Sequence, residues 1–308
     1  MKATRDWFGA ALVQVGETHE KVVVVNCDLG SATKTLGFGR RFPDRFFECG
    51  IAEANAIGLA AGLAQEGFRP FVASFGHFLT GKYLEIFQSI GLNRAGAVLV
   101  GTHSGLAIGK DGPTQMGLRD LAVMRTLPGV EILHPADGEE TRQMLAHLVS
   151  HDRPCYLRLC RQPQREVHDR GYRFRFGQPD VLRQGRDVAV FSMGGMVPVI
   201  ADAVTDLTEH GIDPTVVNVS SLPADAGAIR EIATAHPAVF IIEDHYVVGG
   251  LADEISRILL AVPNPPRVRS WGVPDYGQAA APEDLYARYR LDRRAVVDHL
   301  MSYLYPSR

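Results

Sequence analysis

Few cysteines, no long apolar run and little net charge narrow what this 308-residue chain can be. Its four cysteines, Cys27, Cys49, Cys155 and Cys160, form no CxxC pair and no zinc-like spacing. That excludes a disulfide-stapled secreted scaffold and fits buried thiols in a reducing compartment. No stretch nears the roughly 20 consecutive apolar residues of a membrane helix. The start, MKATRDWFGAAL, carries charge on both sides of its apolar residues and lacks a signal-peptide core, so the chain is read as cytoplasmic. A net charge of −3 argues against a general nucleic-acid surface. The arginines crowded between Arg158 and Arg175 are read as a solvated linker. No internal repeat and no low-complexity tract occurs.

What is present belongs to a soluble globular protein: 46% hydrophobic and 22% charged residues, with length enough for two domains that each bury a core. Short apolar runs alternate with helical patterns, which predicts an α/β chain of βαβ units and mostly parallel sheets with flanking helices. In the first half, strands are expected at 21–26, 71–75, 97–102, 130–134 and 155–159, and helices at 5–15, 52–64, 79–92 and 138–150. The second half is expected to place strands at 187–192, 214–219, 238–243 and 267–271, between helices at 196–210, 224–236 and 249–261. The boundaries are set at 1–165 for the first domain, 166–184 for a linker rich in Arg, Gln and Gly, and 185–308 for the second domain.

The stretch FFECGIAEANAIGLAAGLAQEGFRPFVASF, residues 46–75, puts one carboxylate, Glu53, at the head of a helix made mostly of Ala and Gly. Small residues let other backbones approach closely, and a carboxyl entering such a seam loses water. Loss of water favours sharing a proton with a hydrogen-bond partner, which suits acid/base work; a solvated carboxylate resting on the helix dipole is the plain alternative. In parallel sheets, ligands sit beyond the carboxyl ends of the strands. The loops after Asn26, Ser74 and Thr102 are the ones that matter: Cys27, Asp28, Leu29 and Ser31; His77 and Phe78; then His103 and the glycine-rich run THSGLAIGKDGPT.

Three segments in order, ECGIAEANAIGLAAGLA, PFVASFGHF and THSGLAIGKDGPT, resemble the carboxyl-terminal half of a transketolase. CRQP at 160–163 and IIEDHYVVGGLADEI at 241–255 extend the resemblance over nearly the whole chain. It implies a pyrimidine-binding domain followed by a transketolase C-terminal domain, and thiamine diphosphate as cofactor. No GDG occurs in the sequence, although that motif marks the family's amino-terminal domain, where the diphosphate and its Mg²⁺ or Ca²⁺ are held. The resemblance therefore implies a split enzyme whose N-terminal partner subunit carries GDG. A homodimer of this chain, seamed by the Ala/Gly helix, is expected within an alpha2beta2 heterotetramer.

The resemblance also assigns roles. Glu53 is the catalytic glutamate that hydrogen-bonds the pyrimidine. Phe75 and Phe78 pack on that ring, with Gly81 where the family often has a third aromatic residue, and Asp28, Leu29 and Ser31 fall where cofactor or substrate is contacted. His103 and Asp111 hold sugar hydroxyls or phosphate, with His103 also near the chemistry, and Arg5 and Arg161 bind phosphate. Where the family reads GPTH, this chain reads Gly112, Pro113, Thr114, Gln115, and glutamine neither gives nor takes a proton near pH 7. An altered sugar donor or an altered rate is expected, with His77 as a candidate stand-in. Ser192, Gly194 and Gly195 are read as a packing turn. Transfer of a two-carbon ketol unit between sugars or sugar phosphates leads. The rivals are the β-type subunit of a 2-oxoacid dehydrogenase or carboligase, and a catalytically silent regulatory partner.

Overall fold

The computed structural model describes residues 1–306 and contains two α/β layers joined through a shared core. Val22–Asn26, Arg69–Phe75 and Val98–Thr102 are wholly buried runs rich in β-branched and aromatic residues, the pattern of strands covered on both faces. They lie side by side in a seven-stranded sheet of order Ser221–Leu222, Glu131–Leu133, Cys155–Arg158, Val98–Thr102, Arg69–Phe75, Val22–Asn26, Phe46–Glu48. Every neighbouring pair is parallel except Ser221–Leu222, which runs antiparallel to Glu131–Leu133. That strand comes from the second half of the chain, so one half completes the other's sheet. The second sheet has five strands, in the order Arg267–Val273, Ala238–Tyr246, Val188–Ser192, Pro214–Asn218, Asp180–Arg183. It is parallel but for the last edge.

Several elements depart from the sequence expectation, each for a physical reason. The helix expected over 79–92 is broken into Gly76–Thr80, Tyr83–Glu85 and a π-helical turn at Ile86–Gly91. Gly81 is a poor helix former, and the Thr80 hydroxyl donates back to the Gly76 carbonyl at 2.7 Å. Two short strands were not expected: Pro163–Gln164, just before the linker, pairs with Lys2–Ala3, and Asp180–Arg183, inside it, covers the open edge of Pro214–Asn218. Helices at Asp120–Arg125, Pro282–Arg288 and Arg293–Leu304, and the strand Phe46–Glu48, were not anticipated.

The glycine-rich loop after Thr102 is largely buried. Its Leu106, Ile108, Met116 and Leu118 share an apolar cluster with Met196, Ile200 and Phe240 of the second half. Next to this cluster, Arg158 is 1% exposed and is held by its Nε on Asp120 Oδ2 at 2.8 Å and its Nη2 on the carbonyls of Gly117 and Asp244 at 2.9 and 3.0 Å. The Asp244 carboxylate in turn accepts from the Leu106 N–H at 2.9 Å and from the Tyr286 hydroxyl at 2.6 Å. Gly194 adopts φ 59° against His134, where a Cβ would meet the imidazole ring, so that turn is a packing device between the halves.

Candidate active site

Strand register brings the carboxyl ends of the central strands together: Asn26 pairs with Ala73, and Phe75 with Thr102. A cavity of about 490 Å³ opens there, lined by Cys27, Asp28, Leu29, Ile51, Glu53, Phe78, Gly81 and Lys82. Glu53 is the first residue of the helix Glu53–Gln65, whose Ala56, Ile57, Ala60 and Ala61 are buried against the sheet. Anchoring that face leaves Glu53 directed at the strand ends, 7% exposed. Among the described residues its carboxyl accepts one hydrogen bond, on Oε1 from the Ser74 hydroxyl at 2.9 Å. A second polar capacity of the carboxyl is thus left for a ligand in the cavity.

Phe75 and Phe78 stack with centroids 5.3 Å apart and planes 14° apart, and Phe75 also lies against the His103 ring at 4.0 Å. Gly81, three residues after Phe78, lines the cavity without a side chain, beside the carbonyls of His77 and Phe78. The loop that carries Asp28 and Leu29 is pinned by Glu48, which accepts the N–H groups of Asp28 and Gly50, each at 2.9 Å, and the Asn26 amide. Burial pushes the Glu48 carboxyl up, but these donors outweigh it and hold the group below its ordinary value. Asp28 has φ 56° and His103 φ 57°, left-handed conformations that a tightly held loop must stabilise.

His103 links this cavity to a second one. Its Nε2 accepts from Arg5 Nη1 at 2.5 Å, which leaves the ring proton on Nδ1, facing Thr102 Oγ1 at 2.9 Å. Thr102 in turn donates to the Ser74 carbonyl at 3.2 Å. Burial, then the charges of Arg5, Arg161 and Lys34, pull the His103 pKa down to about 3, so its imidazole is neutral through the physiological range. The second cavity, about 380 Å³, is lined by Arg5, Ala107, Ile108, Lys110, Asp111, Arg161, Gln162, Pro282 and Glu283. Arg161 Nη1 donates to Asp111 Oδ2 at 3.0 Å and to the Ile108 carbonyl at 3.2 Å.

The structure therefore gathers Glu53, Phe78, Asp28 and Leu29 in one cavity, and Arg5, Asp111 and Arg161 in a neighbouring one, with Phe75 and His103 between. Ser31 is exposed on the short helix Gly30–Thr33, and neither Ser31 nor Gln115 lines either cavity. His77 donates through Nδ1 to the carbonyl of Met116 at 3.1 Å, beside position 115. Sequence reasoning missed Ser74, Thr102 and Glu48, which position the others. Thr102 and Glu48 close their strands and Ser74 stands next to the last residue of its own, but nothing along the chain shows what each of them bonds.

Two mostly parallel sheets with flanking helices, and a carboxyl and a stacked aromatic pair at the strand ends of the first, define an α/β class of protein with a cavity at its strand ends. Comparison with known proteins narrows this. Residues 1–166 match the transketolase pyrimidine binding domain and residues 177–296 the transketolase C-terminal domain. The chain belongs to the transketolase family and corresponds to its C-terminal section.

A protein of Methanocaldococcus jannaschii assigned as a transketolase C-terminal section is 29% identical over 305 residues, 97% of this chain and 96% of that protein. One of the subunits of the apulose-4-phosphate transketolase of Phocaeicola vulgatus is 31% identical, with 96% of each chain covered. A solved structure described as a split gene transketolase, inactive beta4 tetramer, superimposes with TM-score 0.91 at 35% identity and covers 100% of both chains. The chain spans about half of its longer relatives: 46% of the 1-deoxy-D-xylulose-5-phosphate synthase of Dictyoglomus thermophilum, at 32% identity over 91% of this chain.

Proposed function

We propose that this chain is the C-terminal subunit of a split, thiamine diphosphate-dependent transketolase that moves a two-carbon ketol unit between sugar or sugar phosphate substrates. The single observation that carries the reading is the Glu53 carboxyl, buried at the end of the parallel strands with one hydrogen bond and a stacked phenylalanine pair beside its cavity. These residues fit an aminopyrimidine: a carboxyl for a ring nitrogen and aromatic faces for a planar heterocycle. When bound, thiamine diphosphate supplies the electron sink for cleaving a carbon–carbon bond next to a carbonyl. Glu53 holds and returns a proton at the pyrimidine nitrogen, with Ser74 orienting it. Phe75 and Phe78 fix the plane of the ring, and Asp28 and Leu29 close the cavity.

Arg5 and Arg161 form the phosphate end of the substrate site, and His103 and Asp111 take sugar hydroxyls. Burial, more than the charges of Arg5 and Arg161, keeps His103 unprotonated, so it meets a sugar hydroxyl as a neutral imidazole. His77, bonded to the carbonyl of Met116, is the imidazole proposed to stand in where Gln115 replaces the family's histidine.

The diphosphate and its Mg²⁺ or Ca²⁺ belong to an N-terminal partner subunit with a GDG motif, in a heterotetramer containing a homodimer of this chain. The solved neighbour described as an inactive beta4 tetramer supports that reading, since half a site is expected to be silent. No helix among the described residues is long and apolar enough to cross a membrane, and we place the assembly in the cytoplasm. The test is reconstitution of the chain with its partner, thiamine diphosphate and Mg²⁺, followed by a ketol-transfer assay with a ketose phosphate or hydroxypyruvate as donor. Activity of the assembly and its loss in Glu53→Ala are expected. Undiminished turnover in Glu53→Ala, or consumption of a branched 2-oxoacid in place of a ketose, would overturn the proposal.

A further inference from the structure

At the opposite end of the first sheet, three side chains that the proposed reaction does not use converge on one point. Glu131 begins the strand Glu131–Leu133 and pairs with Cys155, which is level with Val98. Val98 and Thr102 are the two ends of one strand, so this level lies about 13 Å below the active-site ends at 3.3 Å per residue. His147 sits in the last turn of the helix Gly138–Val149, and His151 follows four residues later, so both rings turn to one side. His147 Nε2 is 2.9 Å from Glu131 Oε2, His151 Nε2 is 3.2 Å from the same oxygen, and the two nitrogens are 3.0 Å apart.

We propose that Glu131 Oε2, His147 Nε2 and His151 Nε2 form a binding site for a divalent d-block cation of the zinc class. Three donors each about 2.1 Å from a shared centre stand roughly 3.0 to 3.4 Å apart when their bonds diverge by about 90 to 109°. The observed triangle is of that size. Without a cation, two imidazole nitrogens and a carboxylate oxygen meet at three short contacts, and no placement of protons makes all three into hydrogen bonds.

The surroundings are built around this point. Arg153 Nη1 takes Glu131 Oε1 at 3.0 Å, which leaves Oε2 to the triangle, and Phe174 and Phe176 of the linker flank the His147 ring at 5.4 and 5.7 Å. Cys155 Sγ lies 3.9 Å from Oε2 as a neighbouring soft donor. The Glu131 side chain is 5% exposed, but the His147 and His151 side chains are 23% and 19% exposed, so an ion can reach the site from solvent.

The donor set separates this site from that of the cofactor's ion. Mg²⁺ and Ca²⁺ take oxygen ligands, whereas two imidazoles and one carboxylate suit zinc, nickel or copper. One contact must yield: the Arg153 backbone N–H donates to His151 Nδ1 at 3.1 Å and keeps the metal-free ring proton on Nε2. Binding therefore displaces that proton and shifts the turn at 151–153. The ion would tie a strand start, a helix end and the linker aromatics into one unit, a structural role.

The experiment uses the full chain without an affinity tag, stripped with a chelator, titrated with Co²⁺ and then back-titrated with Zn²⁺. One equivalent of Co²⁺ with intense d–d absorption, removed by Zn²⁺ but not by excess Mg²⁺, is expected. The double variant His147→Ala/His151→Ala should lose that absorption and bind at least about tenfold more weakly, with circular dichroism unchanged in chelator. His151→Asn, at the more exposed turn, serves as the second variant should the double variant fail to fold. Absence of stoichiometric uptake by the native chain, or an unaltered spectrum and affinity in His151→Asn, would overturn the proposal.

Discussion

At the seam between the two sheets the Arg158 guanidinium gives hydrogen bonds to one carboxylate and two carbonyls, and Asp244 and Tyr286 close the network around it. At the cavity beyond the strand ends of the first sheet, the Glu53 carboxyl receives a single bond among the described residues, and two loop residues rest in left-handed backbone. Both places bury a carboxyl group. At the seam nearly every polar group is spent on another, with Asp120 Oδ1 the exception, so the charges hold structure together. At the cavity capacity is left over, which a ligand can use, and which costs the fold something in the meantime.

The largest effect that would sharpen this contrast is at Glu53. Glu53→Gln in the reconstituted enzyme should lower ketol-transfer turnover roughly 100- to 10,000-fold and leave the melting temperature of the subunit almost unchanged. A variant that melts early with normal turnover would erase the distinction between the two regions. Arg158→Met should do the reverse, costing about 3 to 5 kcal/mol in a denaturant titration because Asp120 is left buried and unpaired. Adding Asp120→Leu should recover much of that loss; failure to do so would mean that the carbonyl bonds, not the ion pair, carry the seam.

A third test concerns the linker, where His168 lies between Asp137 at 2.9 Å and Asp180 at 3.3 Å. Burial pulls the His168 pKa down, but the hydrogen bonds to Asp137 and Asp180 outweigh it and raise it to about 10. A folded-state pKa above the unfolded value means that this stabilisation is complete below about 6.5 and is lost as the pH rises through about 10. The melting temperature of the native chain should therefore fall across that window, and His168→Asn should flatten the fall. The smallest expected effect is Phe78→Ala, which removes one face of the stacked pair and should raise the apparent KM for thiamine diphosphate by several fold, the equivalent of about 0.5 to 1.5 kcal/mol of stacking.

Glu53 and Phe78 were legible from the chain because each sits at a discontinuity that one dimension can show. A lone carboxylate heads an Ala/Gly helix, and an aromatic residue follows an apolar strand. Ser74, Thr102 and Glu48 were not singled out, since a hydroxyl or carboxyl at a strand end gains meaning only from its partner. Those partners lie 20 to 28 residues away for Glu48 with Asp28, Ser74 with Glu53 and Thr102 with Ser74. The loop at 103–118 shows the limit most clearly. Its glycines read as an open ligand loop, whereas its apolar residues are packed under the second sheet.

By itself the order of residues determined the alternation of strands and helices, the parallel character of the sheets, the family, and the carboxyl around which the proposed chemistry turns. These depend on local periodicity and on short motifs, which neighbouring positions encode. Only the tertiary structure decided that the second half lends a strand to the first sheet, that Arg158 is spent on the seam, and that Arg5, Asp111 and Arg161 share one cavity. It also brought Glu131 to His147 and His151. Each of these is a meeting of groups distant along the chain, and packing of the cores, not any local preference, brings them within reach.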